Sequence, residues 1–288
     1  IKSRHQAKPF GLHYFCPHRL NDTTMKNKKI AIIGCGNLGL SILNGLLSQG
    51  IPPQNITATR RKISALDHLK DTGVIVTNDN LSAIESSEII IVALKPYNIL
   101  DVLSGLQSSF NPEKHVLVSL ATGVSLGQIQ EVIKNQTPVF RAMPNTGADV
   151  GMSMTCICSN TTDDEINETV KSCFNAIGET ILIHENLMDS ATVLGACGIA
   201  YVLRFIRAMI QGGVQIGFDA QTATNIVTHT VQGAAELLIK NGEHPEFEID
   251  KVTTPKGCTI AGLNEMEHNG MSSALIKGIV TSYEEINK

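Results

Sequence analysis

The fold is decided by the stretch IAIIGCGNLGLSIL, residues 30–43, in which four apolar residues lead directly into three closely spaced glycines. Gly34, Gly36 and Gly39 form a G-x-G-x-x-G pattern, and an amphipathic helix is predicted immediately after it. In this context the first glycine can make a tight turn, the second can admit a pyrophosphate, and the third lets helix and strand touch. The stretch therefore predicts a dinucleotide-binding unit. The alternative is an ordinary glycine-rich turn between a strand and a helix.

Outward from this stretch, short runs rich in Ile and Val alternate with longer amphipathic segments as far as residue 184. We predict strands at 29–34, 55–59, 74–77, 88–94, 115–120, 138–143, 152–158 and 179–184. Helices are predicted at 37–49, 62–71, 97–107, 125–135 and 162–176. Because this alternation is typical of βαβ units, it predicts an α/β fold with a Rossmann-type, doubly wound parallel sheet.

After residue 185 the strand-like runs stop, and the spacing of apolar residues becomes helical. Helices are predicted at 186–215, 219–241 and 271–287. The excess of apolar residues in so small a domain indicates a helical dimer interface. The predicted parts are an extension outside the native fold at 1–24, a dinucleotide-binding domain at 25–184, and an all-helical dimerisation and substrate domain at 185–288.

The bulk composition describes an ordinary globular protein of 288 residues, with 42% hydrophobic residues and a formal net charge of -4. No basic patch suggests nucleic acid as a partner, and no stretch reaches the roughly 18 consecutive apolar residues of a membrane span. The seven cysteines contain no C-x-x-C pair, which disfavours both a disulfide framework and a metal site. We therefore expect reduced thiols in a cytoplasmic protein.

The end of the second predicted strand, TATRRK at 57–62, bears on which dinucleotide is bound. An acidic residue there would hydrogen-bond a ribose 2′-hydroxyl, whereas basic residues would accept a 2′-phosphate. Thr59, Arg60 and Arg61 offer a hydroxyl and two guanidinium groups but no carboxylate, which favours NADP over NAD. The alternative is that the two arginines are solvated loop charges ahead of a helix.

Three further features are open to two interpretations each. Lys95 and Pro96 follow a buried strand, where ligands of open α/β sheets bind, but a plain strand-to-helix turn would use the same residues. Asn80 either contacts a ligand at that edge or caps a helix. TTPKGCTI at 253–260 is either the junction of two helices or an anion pocket formed by the free N–H groups of a helix start.

Five segments in order resemble the pyrroline-5-carboxylate reductase family, which carries out the last reduction of proline synthesis. They are IAIIGCGNLG, VALKP, RAMPNTGADVGMS, DSATVLGACGIAYV and KVTTPKGCTIAGLNEME, and they span residues 30–267. The pairing of R-x-M-P-N-T at 141–146 with T-P-x-G-x-T-I-A-G at 254–262 is far more specific than a glycine-rich loop. The resemblance implies a Rossmann domain and a helical domain that interlocks with a second subunit, in a homodimer or a higher oligomer.

The resemblance also implies which residues form the site. Those implied to contact NADPH, with NADH as the alternative cofactor, are Gly34, Gly36, Asn37, Leu38, Gly39, Asn80, Ala93, Lys95, Pro96 and Asn145. Asn145 matches a motif beside the nicotinamide, Thr254 stands where serine is usual, and Thr259 matches a threonine whose hydroxyl lies by the substrate ring nitrogen. The backbone N–H groups around Gly257, Cys258 and Thr259 would hold the carboxylate of a five-membered cyclic imine.

The implied reaction is reduction of 1-pyrroline-5-carboxylate to L-proline by hydride transfer. A protonated imine is already electrophilic, so the site has mainly to hold the two reacting carbon atoms in contact. Thr259 and Thr254 would be the catalytic hydroxyl residues. Neither a catalytic histidine nor a metal ion is expected.

Two departures from the family pattern leave alternatives open. LGACGIAY at 194–201 lacks two hydroxyls and a proline of the family's segment, and Lys256 replaces a glycine at a cost of about 1 kcal/mol if that position has a positive φ. The alternatives are a reductase of a related cyclic imine and a catalytically idle NADP-binding relative. A β-hydroxyacid dehydrogenase is disfavoured, because residues 186–215 lack the lysine expected of that class.

Overall fold

The computed structural model describes residues 23–286, so most of the predicted extension at 1–24 lies outside the described residues. The described chain divides into two compact units, of which the first ends at Leu182 and the second begins at Ile183. The first unit contains every strand, and the second is helical throughout. The predicted domain bounds of 25–184 and 185–288 stay a prediction.

An eight-stranded sheet forms the centre of the first unit, in the order β3-β2-β1-β4-β5-β6-β7-β8. The strands are β1 (Ile30–Ile33), β2 (Ile56–Thr59), β3 (Ile75–Thr77), β4 (Ile89–Val92), β5 (Val116–Ser119), β6 (Val139–Met143), β7 (Ser153–Ser159) and β8 (Gly178–Leu182). The first six are mutually parallel in the 3-2-1-4-5-6 order of doubly wound nucleotide-binding sheets. Every residue of β1 and β4 is buried, as expected for strands covered on both faces. The predicted fold class is confirmed.

The direction of the last two strands departs from the predicted parallel sheet. β7 runs antiparallel to β6, and β8 runs parallel to β7. Only residues 144–152 connect β6 to β7, and they contain a short 3-10 turn at Thr146–Val150. A parallel crossover requires a connection of about a dozen residues or more, so this short connection reverses the chain instead.

The helices of the first unit follow most of the predicted segments. They are α1 (Thr23–Asn27), α2 (Asn37–Ser48), α3 (Asn80–Glu85), α4 (Pro96–Leu106), α5 (Leu126–Ile133) and α6 (Asp164–Asn175). The helix predicted at 62–71 is a 3-10 helix, Ile63–Thr72. Asn80 does not cap α3, because the carboxylate of Asp79 accepts the N–H groups of Leu81 and Ser82.

The core of the first unit lies between α2 and the sheet. Ile42, Leu43 and Leu46 on one face of α2 are fully buried and pack in one cluster with Ile32 and Phe140 of the strands. The apolar residues of α2 recur at helical spacing, whereas those of β1 are continuous. This packing fixes where α2 begins, directly after the glycine-rich turn.

The second unit consists of helices alone. They are α7 (Met188–Ala191), α8 (Gly198–Gln215), α9 (Ala220–Asn241), α10 (Pro245–Val252), α11 (Cys258–His268) and α12 (Met271–Ile286). The helix predicted over 186–215 consists of α7 and α8 joined by a π-helical segment, Thr192–Cys197. That segment overlaps, at residues 194–197, with the first half of LGACGIAY, the stretch in which the sequence departs from the family pattern.

The surface of the second unit is strongly apolar. Within the described residues, α8, α11 and α12 bury no side chain, and Leu203, Ile239 and Ile276 are 58%, 73% and 61% exposed. Among those residues one helical segment, Glu185–Gln215, is also long and apolar enough to cross a membrane by length and composition. The expectation that no membrane is involved therefore stays a prediction.

Candidate functional site

The glycine-rich turn after β1 has the geometry that the sequence requires. Gly34 has a φ of +80°, in the left-handed region that glycine adopts without strain. A Cβ atom at this position would lie 2.4 Å from Leu94 Cδ2 and 3.2 Å from the carbonyl oxygen of Ala93. The turn is therefore packed against the residues that follow β4, and no larger side chain fits there.

The start of α2 presents free backbone donors. Gly36 is the N-cap residue, and the N–H of Leu40 is the first to bond within the helix, donating to the Gly36 carbonyl at 2.8 Å. The N–H groups of Asn37, Leu38 and Gly39 have no acceptor in the part of the chain that the structure describes. Three such groups at the positive end of a 12-residue helix can bind an anion such as a pyrophosphate.

Thr59 connects this turn to the second strand and to α3. Its hydroxyl accepts the N–H of Gly34 at 3.2 Å and donates to Asn80 Oδ1 at 2.6 Å, while its carbonyl accepts the N–H of Cys35 at 2.7 Å. The side chain is buried, and its single hydroxyl proton is already donated to Asn80. The expected donation from Thr59 to a cofactor is therefore not available in this arrangement.

The two arginines after β2 lie at the same edge. Arg60 is partly exposed and Arg61 is exposed, and neither side chain has a carboxylate partner within the described residues. Burial raises the pKa of the Cys35 thiol to about 11, and the positive charge of Arg60 acts in the opposite direction. Arg60 is thus close enough to the glycine-rich turn to influence it electrostatically.

The remaining predicted cofactor residues follow two other strands. Lys95 is the exposed N-cap of α4 and Pro96 is the first helical residue, directly after β4, which is the neighbour of β1. Asn145 follows β6, is 9% exposed, and accepts the N–H of Gly147 through Oδ1 at 2.9 Å. The structure therefore groups Gly34, Arg60 and Lys95 at the ends of adjacent strands, with Asn145 farther along the same edge.

A cavity beside α2 was not predicted from the sequence. It has a volume of about 570 Å³ and is lined by polar side chains of α2 and by residues 148–152. Ser41 donates a hydrogen bond to Asp149 at its wall. The spacing of Asn37, Ser41 and Asn44 on one face of α2 was the available signal, but such polar spacing usually marks only a solvated helix face.

The second candidate region is the loop before α11, within the second unit. Thr254 to Gly257 forms a β-turn, in which the N–H of Gly257 donates to the Thr254 carbonyl at 2.9 Å. Pro255 occupies the second position, and Lys256 occupies the third with a φ of +61°. Proline followed by a left-handed residue defines a type II turn, whose third position favours glycine.

This turn corrects the predicted set of anion donors. The N–H of Gly257 is engaged within the turn, so the free donors of the described α11 are those of Cys258, Thr259 and Ile260. Gly257 is required for space, because a Cβ there would lie 2.6 Å from Thr254 Oγ1. The side chains of Thr254 and Thr259 are exposed, and their hydroxyls have no partner within the described residues.

Replacing Lys256 by glycine is expected to raise the free energy of unfolding by about 0.5–1 kcal/mol. The substitution removes the strain of a left-handed lysine, and the greater entropy of glycine in the unfolded chain offsets part of the gain. Urea unfolding at fixed protein concentration measures the change. Lys134→Gly, at a φ of +56°, should act in the same direction, whereas Lys240→Gly in α9 should destabilise. A Lys256→Gly variant that is no more stable than the wild type would contradict the expectation.

Each of the two units contains a region that matches a known protein family. Residues 29–123 match the family model described as NADP oxidoreductase, coenzyme F420-dependent, and residues 185–288 match the model for pyrroline-5-carboxylate reductase dimerisation. Two curated relatives from Dictyostelium discoideum are named pyrroline-5-carboxylate reductase 1 and 2. The chain is 43% identical to the first over 89% of its own length and 49% of that protein. It is 42% identical to the second over 91% of its own length and 93% of that protein.

Solved structures of pyrroline-5-carboxylate reductases are also similar to this chain. A pyrroline-5-carboxylate reductase from Coxiella burnetii superimposes with a TM-score of 0.85 at 27% identity, covering 90% of this chain and 97% of that one. The Plasmodium falciparum pyrroline carboxylate reductase, crystallised with NADP bound, superimposes with a TM-score of 0.81 at 26% identity, covering 91% of this chain and 98% of that one. The predicted resemblance is confirmed.

Proposed function

The chain belongs to the pyrroline-5-carboxylate reductase family, and on that basis we propose that it reduces 1-pyrroline-5-carboxylate to L-proline with NADPH. The observation that carries the proposal is the extent of the similarity, 42% identity over 93% of a relative bearing that name. The chain spans only about half the length of the other Dictyostelium relative. The proposal therefore concerns the activity that these two units can support.

The residues present at the edge of the sheet fit a phosphorylated dinucleotide. The N–H groups of Asn37, Leu38 and Gly39 would hold the pyrophosphate, and Arg60 and Arg61 would pair with the 2′-phosphate. The site would be completed by Ala93, Lys95 and Pro96, which follow β4, and by Asn145, which follows β6 farther along the same edge. When bound, a reduced nicotinamide supplies the hydride that the imine carbon accepts.

The loop before α11 fits the substrate. The free N–H groups of Cys258, Thr259 and Ile260 would bind the carboxylate, with the Thr254 hydroxyl as a further donor. The Thr259 hydroxyl would hydrogen-bond the ring nitrogen and orient the imine. Because a protonated imine needs no further activation, the residues of this loop have to position the substrate rather than exchange protons with it.

We also propose that a second copy of the chain covers the apolar surface of the second unit. The match of residues 185–288 to a dimerisation model supports this occupant over a lipid bilayer. The unburied helices α8, α11 and α12 carry exposed apolar side chains that such a partner would cover. A cytoplasmic location stays a prediction.

Placing two carboxylates on this surface is expected to separate the dimer. Ile276→Asp with Val280→Asp puts charges one helical turn apart on exposed apolar positions of α12, where burial against a partner would cost several kcal/mol. Light scattering after size exclusion should give the mass of one chain instead of two. Ile75→Asp, at an exposed isoleucine of β3, is the matched control and should leave the mass unchanged. A double variant with the mass of two chains would refute this interface.

The proposed activity is tested by following NADPH absorbance with and without 1-pyrroline-5-carboxylate, with proline identified by mass spectrometry. Substrate-dependent oxidation that yields proline is the expected result. If NADPH is oxidised with another cyclic imine but not with 1-pyrroline-5-carboxylate, the chain is a reductase of that related imine. This is the alternative raised by the departure from the family pattern at LGACGIAY. If NADPH binds but no imine is reduced, the chain is an idle relative and the proposal is wrong.

A further inference from the structure

We propose that Thr59 is a positioning residue, which shapes the cofactor site from within the protein. The inference rests on the proposed use of a dinucleotide. It differs from the expected role of Thr59 as a direct ligand, because the side chain is 1% exposed. Its hydroxyl acts on two parts of the site at once, namely the glycine-rich turn and Asn80.

The first part is the turn itself. Gly34 adopts its left-handed φ of +80° with its N–H directed at Thr59 Oγ1, 3.2 Å away. The next N–H, that of Cys35, donates to the Thr59 carbonyl at 2.7 Å. Two consecutive N–H groups of the turn are therefore held by a single residue of β2. Since α2 begins two residues later, this attachment sets where its free N–H groups lie.

The second part is the side-chain amide of Asn80. Thr59 donates its only hydroxyl proton to Asn80 Oδ1 at 2.6 Å, so the amide oxygen is directed toward Thr59. Asn80 is partly exposed at the start of α3, and its NH₂ group has no partner within the described residues. Thr59 therefore leaves Asn80 with two donors for a ligand. Without the hydroxyl, the amide could turn its oxygen toward a negatively charged phosphate or a ribose hydroxyl lone pair.

Both contacts depend on a hydroxyl that accepts and donates at the same time. Valine has nearly the same shape but can do neither, which would leave the Gly34 N–H without its acceptor and Asn80 without its orienting donor. Serine keeps both functions. Thr57, two residues earlier on β2, is also buried, but its hydroxyl has no partner within the described residues. The strand thus offers a matched control for the same substitution.

The test is direct NADPH binding, measured by fluorescence titration without the imine. Thr59→Val is expected to raise the Kd for NADPH about tenfold, whereas Thr59→Ser and the control Thr57→Val stay within about twofold of the wild type. Thr59→Ala makes the same test without placing a methyl group in the position of the hydroxyl. These affinities are measured without the imine substrate, so they do not depend on whether the chain reduces it. If the wild type binds NADPH but does not reduce pyrroline-5-carboxylate, the proposed function is refuted while the test of Thr59 still stands.

A double-mutant cycle with Asn80→Ala tests whether Thr59 acts through Asn80. If it does, Asn80→Ala weakens NADPH binding about tenfold in the wild type but only about twofold in the Thr59→Val background. Thermal unfolding of the cofactor-free variants separates a loss of stability from a loss of affinity. Wild-type affinity in Thr59→Val, an equal loss in Thr57→Val, or fully additive effects in the cycle would each overturn the proposal.

Discussion

Replacing Thr259 by valine is expected to lower kcat for pyrroline-5-carboxylate reduction about 100-fold, with the Kd for NADPH unchanged. The Thr259 hydroxyl is exposed in the first turn of α11 and has no partner within the described residues, so it is available to a ligand. A hydrogen bond to the nitrogen of a charged imine is worth about 1.5–3 kcal/mol, which accounts for the size of the effect. Steady-state kinetics at saturating NADPH provides the measurement.

Two variants separate the role of this hydroxyl from a general disturbance of the loop. Thr259→Ser keeps the hydroxyl and should retain most of the activity. Thr253→Val removes a hydroxyl that is bonded to the Asp250 carbonyl at 3.2 Å, and it should change kcat by no more than about twofold. Full turnover in Thr259→Val, or an equal loss in Thr253→Val, would show that the ring nitrogen is not held by Thr259.

Much of the fold could be predicted because its elements are specified locally. The central strands β1 and β4 are short apolar runs that are buried along their whole length. The glycine-rich turn could also be predicted, since the left-handed φ at Gly34 and the close contact with Leu94 both require the residue found there. In these places the local pattern and the tertiary environment require the same residue type.

The features that were missed depend on hydrogen bonds between separate segments. Asp79 and Asn80 are both good capping residues, and the sequence does not show which side chain bonds the first turn of α3. The N–H of Gly257 is engaged because Thr254 and Gly257 close a turn of their own. Thr59 meets its partners 25 residues before and 21 residues after it along the chain, so its role emerges only once β1, β2 and α3 are assembled.

The direction of β7 is an intermediate case. Its alternating residues predicted a strand correctly, and burial of Thr155 and Ile157 confirms that the strand belongs to the sheet. The period of two is the same in parallel and antiparallel strands, so the pattern carries no information about direction. The nine residues at 144–152 do carry it, because they cannot form the helix of a parallel crossover. Connection length should therefore be weighed alongside hydrophobic pattern.

Neutralising both arginines after β2 is expected to reduce kcat/KM for NADPH about 100-fold and to change kcat/KM for NADH by less than about threefold. NADPH differs from NADH only in its 2′-phosphate, and a guanidinium forms short, charge-assisted hydrogen bonds to phosphate. Arg60 and Arg61 have no carboxylate partner within the described residues, so both side chains are available for this contact. Steady-state kinetics of Arg60→Gln with Arg61→Gln, run with each cofactor, measures the ratio.

The fall in kcat/KM for NADPH has to be separated from the general effect of removing two positive charges from the protein. Lys134→Gln, directly after α5, with Lys171→Gln in α6 removes the same charge outside β2 and should leave the NADPH to NADH ratio unchanged. Because the proposed contact is exposed to solvent, added salt should weaken NADPH binding by the wild type more than by the arginine variant. Equal losses for NADPH and NADH would show that the arginines do not contact the 2′-phosphate. The preference for NADPH would then have to arise elsewhere on the edge formed by β1, β2 and β4.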